Sequence, residues 1–338
     1  MRKLLVVIVT FIGVAIFMLS FAELEKILDV ISHGNVRLLF AAALIQLIWH
    51  LNEASAYQSL YRRMGMDEDI RHLTLVSSAA NFINVIAPSA GVGGIALFTD
   101  DAGKRGLPHG RAAASAALYL FLDYAAFLAV LILGLIVLIR RNDLSAGDIS
   151  ASILMFALVS GFGSLLYIGS RSAQRYGDAL AFLARIANGI MQPFIRRKIV
   201  SEDRAHQFAA EMSEGLTILR ANPQRLIRPI LHALNSKALQ IGILLIVFID
   251  FRVDYSIGTL IAGFAITYLF LVISPTPSGI GIVEGIMPLI LSTLHVPWEE
   301  AVVTTLAYRA VTFWFPLALG GLSFRMIQRA EKTGEQHG

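Results

Sequence analysis

No cysteine occurs among the 338 residues, which excludes disulfides, a thiolate nucleophile and any Cys-type zinc site. Charge is also scarce. Asp, Glu, Lys and Arg make up 15% of the chain, against roughly 25% in soluble domains, and several long stretches carry almost none. His109, His206, His232 and His295 are scattered without metal-ligand spacing. No Walker loop and no Ser/His/Asp order is present, and Gly91-Val-Gly93 lacks the strand and the third glycine of a dinucleotide fingerprint. No catalytic constellation, cofactor, metal or nucleic-acid partner is therefore expected. The apolar runs are too long for strands, and no alternating pattern of about ten residues recurs as a membrane barrel requires.

What the chain has instead is apolar length. Hydrophobic residues make up 56% of it, and runs at 4–22, 38–58, 112–139, 150–169, 229–250, 256–274 and 300–324 approach or exceed the ~20 residues that cross a bilayer core in helix. The expected fold is all-α: one polytopic membrane bundle over residues 1–338, with about seven spans. The first run is too long for a signal-peptide core, so an uncleaved span is expected there. Two further apolar segments, 74–98 and 275–296, are broken by proline and glycine.

Basic residues concentrate near 58–73, in 171–228 and in the C-terminal tail. The positive-inside rule places these loops and both termini in the cytoplasm. Counting crossings then favours a re-entrant 74–98 and a crossing 275–296. Region 171–228 is the one sizeable polar part. Phe208, Met212, Leu216 and Leu219 share a face of a helix there, which suits either a helix lying on the headgroups or a solvated loop.

An internal repeat emerges at one offset. Pro88 and Pro277 are 189 residues apart (277 − 88), and so are Ser89 and Ser278, Pro108 and Pro297, and Tyr119 and Tyr308. Two pseudo-repeat elements, 74–139 and 263–328, follow from it. Backbone broken inside a bilayer survives only where protein or water surrounds it, and many transporters place their substrate between paired interruptions. The site is thus expected between the two broken elements, at Ser89, Gly93 and Gly94 in the first and Pro277, Ser278, Gly279 and Gly281 in the second. Small residues that merely let helices pack account for the glycines equally well.

Three charged residues interrupt apolar stretches: Asp123, Glu284 and Arg309. Ionised groups within a span are costly unless paired, so Glu284 and Arg309 are natural partners, with Tyr308 beside them. A charged cavity taking a lipid phosphate on Arg309 and a structural ion pair both fit. Lys237, Asn235, His50, Asn52 and Glu53 lie nearer span edges or in one polar break and read as positional, Trp49 and Trp298 as interfacial anchors.

The second element and the helix after it, Pro275-Thr-Pro277-Ser-Gly279-Ile-Gly281-Ile-Val-Glu284 and then Tyr308-Arg309, resemble the flippase-like membrane domain of bacterial lysylphosphatidylglycerol synthases. The likeness covers roughly residues 5–325, and Asn84 to Gly94 is similar to the family's other Pro/Gly signature. That family often has glycine where Ser278 stands, and often has charge after the first glycines, where Ile95-Ala96-Leu97-Phe98 is apolar. The synthases' soluble aminoacyltransferase domain has no counterpart here. The resemblance implies a bacterial inner-membrane protein that moves a phospholipid or isoprenoid-type lipid between leaflets, or else an accessory subunit of a lipid-modifying or glycosyl-transferring enzyme. The expected partners are a membrane lipid and, in the second case, that enzyme.

Overall fold

A computed structural model describes residues 34–86, 91–191, 202–221, 223–274 and 276–335, with residues 26, 27, 30 and 32 before them. The expected first span at 4–22, together with Pro88 and Ser89, lies outside the described residues. Among the described residues every regular element is helical. In order they are Val36–Arg63 (α1), Ile70–Ile86 (α2), Val92–Lys104 (α3), His109–Arg141 (α4), Ala146–Gly169 (α5), Ala173–Met191 (α6), Glu202–Ala221 (α7), Ile227–Asp250 (α8), Ile257–Ile273 (α9), Ile282–Thr293 (α10), Trp298–Arg309 (α11) and Phe315–Glu335 (α12). A π-helical turn, Ala310–Trp314, joins the last two.

Local chemistry sets the boundaries. Ser145 caps α5, its hydroxyl accepting from the Asp148 amide while Asp148 bonds back to the Ser145 amide. Ser256 caps α9 through the Thr259 amide. Asn142 ends α4 in the left-handed conformation that asparagine tolerates. The π turn precedes Pro316, whose missing N–H and bulky ring disfavour a regular α-helical turn there. The Phe315 amide accordingly donates to the Ala310 carbonyl, five residues back.

Among the described residues, five stretches are long and apolar enough to cross a membrane: α1, α4, α5, α8 and Trp298–Arg329, which runs through α11 into α12. Their exposed faces are hydrophobic, as at Phe40, Leu44 and Leu51 of α1 or Leu133 and Ile136 of α4. This is the pattern of a protein solvated by lipid. The chain forms a polytopic membrane helix bundle.

The two broken segments are helical hairpins. Helices α2 and α3 fold back on each other: the Gly94 amide donates to Asn84 Oδ1 at 2.8 Å, while at the open end Arg105 pairs with Glu68 and His72 with Asp101. Helices α9 and α10 do the same, with Leu291 against Gly263. At 17 and 12 residues they reach only about 25 and 18 Å, short of the ~30 Å hydrocarbon core. The crossing expected at 275–296 is therefore corrected. That segment is the return arm of a hairpin, because α10 is too short to cross and packs on the helix before it.

The offset of 189 seen in sequence also relates the helix boundaries. Shifted by it, α1 to α4 fall within about two residues of α8 to α11 at nearly every boundary. The two copies run in opposite senses. Helices α1 and α8 are antiparallel neighbours, with the Asn35 amide on Asp250 at one end and Asn52 on the His232 carbonyl further along. Helix α4 connects the two hairpin mouths. Arg111 near its start bonds the Met64 carbonyl beside the first hairpin, and Arg141 at its end bonds Ser256 at the mouth of the second. The hairpins thus enter from opposite ends of the bundle, and their tips point toward each other.

Helices α6 and α7 pair with one another, and α7 lies on α4. Met212, Leu216 and Leu219 are buried there. The amphipathic face expected to meet headgroups or water is therefore covered by protein instead. The approach is close enough that a Cβ at Gly110 would overlap the Glu211 backbone.

Candidate functional site

Between the hairpin tips lies a cavity of about 310 Å³. The first tip contributes Asn84, Gly91 and Gly94 to its wall, and the second contributes Ser274, Thr276 and Ser278. Glu53 of α1, Asp123 of α4 and Arg309 of α11 complete the charged lining. The tips have the backbone such a meeting needs. Gly91, Gly279 and Gly281 have φ of 90°, 71° and 79°, which only glycine adopts without strain. Ser278, with φ of 46°, adopts the left-handed region at a cost.

Arg309 is the centre of the site. It is 2% exposed. Its Nε donates to Glu284 Oε1, and its guanidinium lies 4.1 Å from the centroid of the Phe313 ring. Among the described residues its buried Nη2 has no hydrogen-bond partner. Glu284 sits in the first turn of α10 and accepts from the Gly281 amide at 2.6 Å through its other oxygen. One carboxylate thus joins the start of α10 to the arginine, anchoring the second tip to α11. The π turn begins immediately after Arg309. Such turns are frequent at functional sites.

Asp123 is paired with a lysine from a helix more than a hundred residues away. Lys237 of α8, read from the sequence as positional, is 1% exposed. Its Nζ donates to Asp123 Oδ2 at 2.7 Å and to the Tyr268 hydroxyl at 2.9 Å, and stacks on the Tyr268 ring. Its position near the start of an apolar span suggests no more than a positional role. Helix α8 instead turns that face inward against α4 and α9.

The polar break in α1 is also interior. Glu53 accepts from Asn81 Nδ2 at 2.7 Å. Asn52 bonds His232 and Asn235 of α8. Trp49, expected at a membrane interface, donates to Ser236 Oγ at 2.6 Å and lines the cavity. The signal that marked Arg309, a polar group in an apolar run, was present at Glu53, Trp49 and Lys237 too.

Of the residues singled out in sequence, Asp123, Gly94, Ser278 and Arg309 line one cavity, and Glu284 touches it through Arg309. Gly279 and Gly281 shape the second tip, and Pro277 starts its short 3-10 turn. Gly93 opens α3 beside Gly94. Tyr308 is brought to the neighbourhood but not to the wall: it is buried in the apolar core with Val311. Its repeat counterpart Tyr119 does line the cavity.

Comparison with known proteins agrees with this architecture. Residues 3–320 match the family described as the lysylphosphatidylglycerol synthase TM region. The UPF0104 membrane protein MJ1595 of Methanocaldococcus jannaschii is 23% identical over 336 residues, covering 97% of this chain and 96% of that protein.

Proposed function

The chain belongs to the lysylphosphatidylglycerol synthase TM-region family, and on that premise we propose that it is a lipid translocase of the bacterial inner membrane. A phosphate-bearing headgroup, of a phospholipid or an isoprenoid-type lipid, enters the cavity between the hairpin tips while its chains stay in the bilayer. The observation that carries this reading is Arg309, a buried cation in the wall of that cavity whose Nη2 has no hydrogen-bond partner among the described residues. Glu284 holds the guanidinium through Nε, and among the described residues Arg309 lines the cavity wall as its one cation. Asn84, Ser274 and Thr276 offer neutral polar groups around it. The opposed hairpins support passage: each mouth faces one end of the bundle, and a headgroup at the tips is reachable from either side by small tip movements. With the basic loops facing the cytoplasm, the C-terminus is cytoplasmic.

Reconstitution tests the proposal. Vesicles of phosphatidylcholine carrying a trace of fluorescent phosphatidylglycerol report leaflet exchange through dithionite quenching. Arg309→Ala is expected to slow exchange by about ten- to a hundred-fold, as loss of a charge-assisted hydrogen bond predicts. Arg309→Lys restores charge without the planar fork and should fall between. Equal exchange in wild type, Arg309→Ala and protein-free vesicles would remove the reading.

A further inference from the structure

Charge around the cavity does not balance. Arg309 is paired with Glu284 and Lys237 with Asp123. Glu53 remains. It is 6% exposed and lines the same cavity. Its hydrogen bond comes from a neutral amide, that of Asn81, at 2.7 Å. Among the described residues no cation lies within 4 Å of it.

The groups facing Glu53 are otherwise uncharged or already committed. On α1 itself stand His50 and Tyr57, the former with Nδ1 at 3.3 Å from the Ser78 hydroxyl of α2. Helix α4 presents Tyr119 and Asp123, and α8 presents Lys237, which Asp123 and the Tyr268 hydroxyl of α9 both engage. From α11, Arg309 reaches the cavity already bonded to Glu284. A carboxylate closed inside a membrane bundle requires a counter-charge or a proton. Among the described residues the nearby cations, Lys237 and Arg309, are bonded to other carboxylates.

Resting on the lipid-passage reading above, we propose that Glu53 is a proton site, and that the protein moves one proton together with each phosphate headgroup. Glu53 and Arg309 line one small cavity, so a phosphate anion on Arg309 and an anionic Glu53 repel each other across it. Anion and proton therefore occupy the cavity together, and each favours the other's binding by the same factor. A singly charged phosphate diester and one proton sum to zero, so the loaded cavity moves no net charge. A pH gradient then drives the lipid and the membrane potential does not. Asn81, on the first hairpin, couples the proton site to the tip. Its amide bonds Glu53 one turn before Asn84, which holds Gly94.

The experiment uses the full chain in phosphatidylcholine vesicles with trace fluorescent phosphatidylglycerol and pyranine in the lumen. With one proton per headgroup, a gradient of one pH unit should sustain about a tenfold excess of probe in the leaflet facing the alkaline side. A valinomycin-imposed potassium potential should sustain none. In Glu53→Gln the pH-driven excess should vanish, and Glu53→Asp should restore it in part, which separates proton handling from a folding defect. Wild type that exchanges the probe with no pH-driven excess overturns this proposal and leaves lipid passage standing. Wild type that exchanges no probe at any pH overturns both. Faster exchange of a phosphatidylethanolamine probe without a pH response would assign Glu53 to a headgroup amine and also overturns the proton site.

Discussion

At the scale of single residues, the interior follows a rule of pairing. Lys237 and Asp123 come from helices far apart in sequence and meet at 2.7 Å with Tyr268 bridging them. Taking two charges from water costs several kcal/mol each, and the pair is held only because the geometry is good and the hydroxyl adds a further bond. Removing one partner strands the other. Lys237→Met is expected to destabilise the detergent-solubilised protein by about 3–5 kcal/mol, read as a lower midpoint of thermal unfolding. The double variant Lys237→Met/Asp123→Leu should recover part of that loss. A single variant as stable as wild type would show that the pair is not closed off from solvent. The charges that could be picked out in sequence, Asp123, Glu284 and Arg309, are those deep in apolar runs. Lys237 and Glu53 were harder to weigh because their spans also hold ordinary polar residues near the ends.

At the scale of elements, two helix pairs repeat. Helix α4 packs on α9 as α12 packs on α2, and glycine permits close approach in both. A Cβ at Gly134 would stand 2.6 Å from the Ala265 Cβ, and one at Gly320 would stand 2.5 Å from the Ser78 carbonyl oxygen. Gly134→Ala and Gly320→Ala should each cost about 1–3 kcal/mol through overpacking, measurable by the same thermal assay. Gly242→Ala, where an added Cβ meets nothing within 4 Å, is the control and should leave the midpoint unchanged or raise it. The repeat carries these scaffolding contacts without carrying the charges. Arg309 corresponds to Leu120, and Glu284 to Ile95. The two hairpins share a shape, while the chemistry of the cavity is one-sided.

At the scale of the whole molecule, the opposite sense of the two halves is the feature with most consequence. The mouth of the first hairpin lies at the start of α4 and that of the second at its end, about 50 Å away along a helix of 33 residues. The chain has no cysteine, so introduced ones report alone. Asp100→Cys, near the first mouth, and Glu299→Cys, near the second, are both exposed positions. In sealed inside-out and right-side-out vesicles, each should react with an impermeant maleimide in one orientation only, and in opposite ones. Labelling of both from the same side would contradict the inverted arrangement.

Composition and patterning alone determined the membrane class, the helical fold, the places where the helices break and the 189-residue repeat, because all of these are written in local hydropathy and in proline and glycine. Tertiary structure decided what those breaks do. A segment such as 275–296 reads as a span until the length of α10 and its return onto α9 show a hairpin. The face of α7 reads as amphipathic until α4 is seen to cover it. Lys237 reads as an edge residue and Glu53 as part of a polar break until other helices surround them. Local sequence reports the solvent a residue prefers. Which surface meets lipid, protein or an enclosed cavity depends on partners more than a hundred residues distant, and only packing selects them.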